Sequence, residues 1–151
     1  GFFTTQKSQE VVHTGVAQAS SNVEVSGPVV VVGDSGSQVA NIQFYLQIAA
    51  GGAPVDMKKV TYTVSTSDEL RIYDPDGVNL EWYNSNAGEG NALLEPFEFV
   101  LVTIPETPAT IPEIGVNQRF TVEVKPDVGA SYPIQRNAPP YIVKDTNYEV
   151  Y

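Results

Sequence analysis

The chain has 151 residues, enough for one domain with a real hydrophobic core and too few for two comfortable ones. Its 18 acidic against 8 basic residues give a formal charge of -10, which opposes binding to nucleic acid or to anionic lipid headgroups. Cysteine is absent, so disulfide frameworks, thiolate metal sites and cysteine nucleophiles are excluded.

The composition changes at Asn22, which divides the chain into residues 1–21 and residues 22–151. The first part, GFFTTQKSQEVVHTGVAQASS, contains none of the 11 prolines. Val12, Val16 and Ala19 fall at i, i+4 and i+7, the spacing of a weak amphipathic helix, with Ser20, Ser21 and Asn22 as termination chemistry. Lys7 and Glu10 cancel within this stub, so the second part carries the whole acidic excess.

From Asn22 onward, short β-branched runs alternate with Gly, Pro and Asp turns. Strands are expected over Val23 to Val32, ending at Gly33-Asp34-Ser35-Gly36, and over Val39 to Ala49, with Ile42, Phe44, Leu46 and Ile48 on one face. The alternation of Val60, Tyr62 and Val64 predicts another, and Leu70 to Tyr73 runs into the turn Asp74-Pro75-Asp76-Gly77. Val78 to Tyr83 precedes a polar loop from Asn84 to Asn91, and Phe97 to Ile104, Phe120 to Val124, Tyr132 to Gln135 and Tyr141 to Tyr151 complete the set. Pro105, Pro108 and Pro112 mark an exposed connection rather than a central strand. Nine short strands with regularly spaced turns describe an all-β fold, an antiparallel β-sandwich preceded by a helical stub. The final stretch, Asn147 to Tyr151, is expected to be tied into a sheet.

Few residue constellations point to chemistry. Asp74, Asp76 and Asn79 present oxygen ligands at a spacing that suits one calcium or other divalent cation, with Glu81, Glu89 or a backbone carbonyl completing the shell. Position twelve counted from Asp74 is Ser85, so the EF-hand pattern fails, and Asp-Pro-Asp-Gly is also sound turn chemistry without metal. Trp82 and Tyr83, with Tyr62 and Tyr73 on nearby predicted strands, have the composition of a sugar-stacking platform, though a lone Trp in a sandwich more often packs in the core. The single histidine, His13, lies on the stub, away from any serine nucleophile of the domain, and Glu81 with Glu89 is a carboxylate pair without a catalytic frame. No motif joins nucleophile, base and oxyanion donor, and there is no P-loop, dinucleotide fingerprint or N-x-[ST] acceptor. The chain reads as a non-enzyme.

The opening GFFTTQKSQEVVHTGVAQASSNVEVSG resembles archaellin, the archaeal flagellin, just after its hydrophobic N-terminal segment. The join of helix to strand is the specific part, while residues 22–151 match in organisation: length, acidity, strand number and absent cysteine. The resemblance implies a structural subunit of the archaeal motility filament, exported behind a short basic leader, polymerising with itself or related archaellins through the N-terminal helix. An immunoglobulin-like sandwich would then form the outer sheath. It further implies an extracellular location, a membrane contact only through a segment upstream of Gly1 before assembly, and a soluble fragment as the sequence in hand. A metal in the sandwich, as some members are described to hold, is an expectation for the Asp74 loop; nothing else is required as cofactor. Phe2, Phe3, Val12 and Val16 are the candidates for subunit contact, because an apolar stripe on a polar helix calls for burial against other subunits. Two other readings remain: a calcium-dependent carbohydrate-binding or adhesive sandwich, and a type IV pilin-like adhesion subunit.

Overall fold

A computed structural model describes residues 21–84, 92–107 and 109–151. The expected stub, Ser21 apart, lies outside the described residues, as do His13, Glu89 and the contact candidates Phe2, Phe3, Val12 and Val16. The described chain forms strands β1 (Val23–Gly33), β2 (Val39–Ile48), β3 (Val55–Asp56), β4 (Thr61–Ser65), β5 (Leu70–Tyr73), β6 (Asn79–Tyr83), β7 (Leu93–Leu94), β8 (Phe99–Ile104), β9 (Arg119–Lys125), β10 (Tyr132–Asn137) and β11 (Asn147–Val150), with short 3-10 turns at Met57–Lys59 and Pro75–Gly77.

One sheet has the order β11-β1-β2-β8-β6 and the other β10-β9-β4-β5, with β3 and β7 as a small separate pair. Every one of these strand pairings is antiparallel. The period-2 pattern does the sorting. Val29 and Val31 of β1, Ile42, Phe44 and Leu46 of β2, and Val100, Val102 and Ile104 of β8 bury one inner face. Tyr62 and Val64 of β4, Phe120, Val122 and Val124 of β9, and Ile134 of β10 bury the facing one, and the two meet in a single core. This is the expected immunoglobulin-like antiparallel sandwich. Truncating a core side chain such as Phe44 to Ala removes about 3–5 kcal/mol.

A bulge interrupts β1, where its pairing with β2 slips between Ser26 and Val30. Gly27 takes φ +78 there, and Pro28 sits at the point where a missing N–H does no harm. Before the bulge β1 pairs with β2 alone, and after it β1 also accepts β11 through Val29–Val150 and Val31–Tyr148. The end of the chain is thus tied into a sheet, as expected.

Three boundaries differ from the sequence reading. Tyr141 to Tyr151 is not one strand: Asp145 takes a left-handed φ of 58 and Thr146 N–H bonds Val143 carbonyl, so a turn and a single parallel bridge from Lys144 to Gly33 replace the first half and only Asn147–Val150 forms a strand. Phe97 does not begin β8, which starts at Phe99. The proline-marked connection is not wholly exposed: Ile111 and Ile114 enter the core. Arg71 and Tyr73 of β5 hold that connection, each donating to the Thr110 carbonyl at 3.2 and 2.6 Å, while Glu69 clamps Arg71 at 2.6 Å. Burial raises the Tyr73 hydroxyl pKa, with the Arg71 charge opposing and Glu69 adding. The pair β3–β7 went unread because two residues are too few to show a period.

Candidate assembly surface

Strand directions give the sandwich two ends. At one, β2 and β6 finish and β1, β8 and β10 begin, and the chain arrives there from residue 21. Asn22 anchors this arrival. Its carbonyl accepts from Ala49 N–H at 2.9 Å, its side-chain oxygen from Ala53 N–H at 3.2 Å, and its side-chain amide donates to the Val128 carbonyl at 3.3 Å. Gly52 passes so close that a Cβ there would stand 2.9 Å from the Asn22 carbonyl oxygen. Two loops, residues 49–53 and the one carrying Val128, therefore clamp the first residue of the sandwich.

Beside this junction, the turn Glu95–Glu98 presents Phe97. The aromatic ring is 86% exposed and its backbone sits at φ 72, a left-handed conformation that is strained for a bulky residue. The turn is held in place. The buried Glu98 carboxylate accepts from Glu95 N–H at 2.7 Å, Glu98 N–H bonds the Glu95 carbonyl at 3.1 Å, and Asn84 donates to the Phe97 carbonyl at 2.8 Å. A groove of about 510 Å³ opens alongside, lined by Ile48, Ala49, Gly51, Pro96, Phe97 and Phe99 among others. Val128, on the loop that Asn22 bonds, is also exposed at this end.

The Asp74 turn is built differently. The Asp74 carboxylate caps the 3-10 turn Pro75–Gly77, accepting from Asp76 N–H at 3.1 Å and Gly77 N–H at 3.0 Å through the same oxygen. Asp74, Asp76 and Asn79 are all exposed, and among the described residues no group of three or more His, Cys, Asp or Glu gathers as a metal shell. The aromatic platform does not form, because Tyr62 and Tyr73 are buried in the core while Tyr83 faces out and meets Tyr45 edge-to-face at 5.7 Å. The negative charge of Glu81, first of several influences, raises the Tyr83 pKa.

The model of the family described as archaeal-type flagellin matches residues 1–136. The chain belongs to the archaeal-type flagellin family. Probable flagellin 1 of Archaeoglobus fulgidus is 39% identical over 158 aligned residues, covering 94% of this chain and 77% of that protein, and probable flagellin 2 of the same organism is 34% identical over 93% and 76%. Among solved structures, the archaeal flagellum of Methanospirillum hungatei aligns with TM-score 0.59 at 31% identity, covering 95% of this chain and 84% of that one. The archaeal flagellin FlaB1 of Methanocaldococcus jannaschii aligns with TM-score 0.70 at 15% identity over 87% of this chain and 97% of its own, a likeness of fold. This flagellin is a structural subunit of the extracellular archaeal filament, the archaellum.

In the flagellin, the surface that sequence reasoning missed is the Phe97 turn. A signal was present. The buried residues of β8 are Val100, Val102 and Ile104, so Phe97 and Phe99 fall on the outward parity, and Phe97 stands between Glu95-Pro96 and Glu98 where a strand pattern would place a polar residue.

Proposed function

We propose that the segment before Asn22 carries the polymerising contacts of the filament and that the sandwich stands outside them with its Phe97 end turned inward, forming the sheath. The observation that supports this most is the coincidence of two features at one end: a clamped chain junction and a strained turn that displays an aromatic ring. Water contact leaves that ring unsatisfied, and covering a Phe side chain stabilises an assembly by about 1.5–3 kcal/mol per subunit. A contact repeated head-to-tail about an axis without closing gives a helical filament. The acidic sandwich, with its excess charge outward, keeps such a polymer soluble.

Nothing in this role asks for catalysis or for a cation at the Asp74 turn. The sugar-binding alternative loses the two tyrosines that its platform needed, since both lie in the core. The test uses the full-length subunit in a flagellin-deficient archaeal host. Val12→Asp with Val16→Asp, and separately Phe97→Asp, are each expected to leave soluble, folded subunits without filaments in electron micrographs. Filaments of ordinary length from either variant would contradict the reading.

A further inference from the structure

Two apolar patches lie on opposite flanks of the sandwich. On one flank β5 is the edge strand of its sheet, and its outward residues Leu70 and Ile72 are 60% and 70% exposed. Arg71 and Tyr73 point the other way and are consumed by the proline-marked connection, so the outward pair has no intramolecular task. Neighbouring outward positions on β4 are Thr63 and Ser65, paired with Ile72 and Leu70, which leaves the two aliphatic side chains standing above a polar face. Edge strands of soluble domains are ordinarily blunted by charge or proline, and an exposed aliphatic pair there marks a contact surface.

On the other flank, where β11 and β10 are the edges, Tyr151 carbonyl accepts from Asn137 N–H at 3.1 Å and joins the two sheets. Here Tyr141 and Val143 are 66% and 54% exposed. Their segment is rigidly seated: it lies so close to β1 that a Cβ on Gly33 would stand 2.2 Å from the Val143 carbonyl oxygen. Tyr141 packs edge-to-face on Tyr148 at 6.0 Å, and Tyr148 Oη accepts from Val143 N–H at 3.0 Å.

Unpaired charges stand beside both patches. Asp68 precedes the Leu70 patch, whose Glu69 and Arg71 pair with each other, and Lys144 follows Val143 with Asp145 next to it; Asp68, Lys144 and Asp145 are exposed, and none belongs to an ion pair among the described residues. Resting on the filament reading above, we infer that the Leu70–Ile72 flank of one sandwich packs against the Tyr141–Val143 flank of a second copy, with Asp68 facing Lys144 across the rim. Different patches on opposite flanks make the contact heterologous, so it propagates from copy to copy instead of closing into a dimer. The rim pair supplies register and orientation in a domain whose net charge otherwise repels its neighbours.

The absence of cysteine from these 151 residues allows a direct test in assembled filaments of the full-length chain, compared with the unaltered chain. Ile72→Cys combined with Tyr141→Cys, treated with a short bismaleimide, is expected to give a ladder of dimers, trimers and higher species, while either single variant gives monomer. Dimers from Ile72→Cys alone, or no ladder from the pair, would overturn the inference. A second arm avoids altering the apolar contact: Asp68→Lys and Lys144→Asp should each lower filament melting temperature at low salt, and the combined swap should restore it. Additive loss in the combined variant overturns the pairing. In both arms filaments still form if only the flank contact is wrong, whereas absence of filaments from the unaltered chain would remove the filament reading itself.

Discussion

The turns at Asp74 and at Phe97 are both short surface reversals beside edge strands, yet they are built for different ends. At Asp74 every residue suits its place: an aspartate caps, a proline occupies the first helical position, and a glycine closes the turn beneath it. One oxygen of its capping carboxylate is spent on its own backbone. At Phe97 the residue opposes its backbone, a bulky aromatic at φ 72 with its ring in water, and the surrounding groups hold that mismatch in place. A turn whose residues agree with its conformation is explained by folding alone. One that holds a bulky residue against its conformational preference calls for a reason outside the isolated domain, and the proposed inward-facing Phe97 end supplies one, a neighbouring copy in the filament.

Breaking the comparison at its stronger side should have the largest effect. Phe97→Asp is expected to abolish or severely shorten filaments in the full-length subunit, with the sandwich still folded by circular dichroism. The corresponding change at the other turn, Asp74→Ala, should leave filament length unchanged and lower domain stability by about 1 kcal/mol, read from urea denaturation, because a capping carboxylate is lost. Shortened filaments from Asp74→Ala would place an assembly or cation role on that turn.

A third group shows what strain without function looks like. The Tyr62 hydroxyl is fully buried, has no hydrogen-bond partner among the described residues, and is held protonated well above its ordinary pKa by burial. The native state therefore keeps this proton at pH values where the unfolded chain has released it. The resulting stability is complete below about pH 10 and declines by about 1.4 kcal/mol for each pH unit above it. Tyr62→Phe should flatten that decline, leave stability at neutral pH unchanged or raised by up to about 1 kcal/mol, and leave filaments intact. An alkaline decline as steep in Tyr62→Phe as in the unaltered chain would assign the effect to other tyrosines.

The smallest effect sharpens the argument most. Phe97→Gly relieves the left-handed backbone and should stabilise the isolated sandwich by about 1 kcal/mol while still weakening filaments. Opposite signs for domain and polymer are the mark of local strain maintained for assembly. Loss of domain stability would instead make Phe97 a structural residue.

Much of the fold was legible because period-2 alternation in β2, β4 and β9 leaves little choice of inner face. The residues around Asn22 pointed to the family. Long-range geometry was not legible. That Asn22 bonds the Val128 loop, that Ile111 and Ile114 plug the core beside β5, and that Tyr73 faces inward depend on pairings between distant segments. The Asp74 turn was read for its ligands, yet one carboxylate oxygen is engaged by two backbone N–H groups, a competition that residue types alone do not decide. Phe97 was read as a strand start because an aromatic before Phe99-Val100 has strong strand propensity, which outweighed its outward parity and its acidic neighbours.

The most direct test of the inward-facing Phe97 end is maleimide labelling of assembled filaments against dissociated subunits. Phe97→Cys and Ser35→Cys, the latter on the exposed turn at the opposite end, are the two probes, each the sole cysteine within these 151 residues and read against the unaltered subunit. Both should react fully in subunits, and in filaments the Phe97→Cys thiol should be protected while the Ser35→Cys thiol stays reactive. Equal labelling of the two positions in intact filaments would contradict the account.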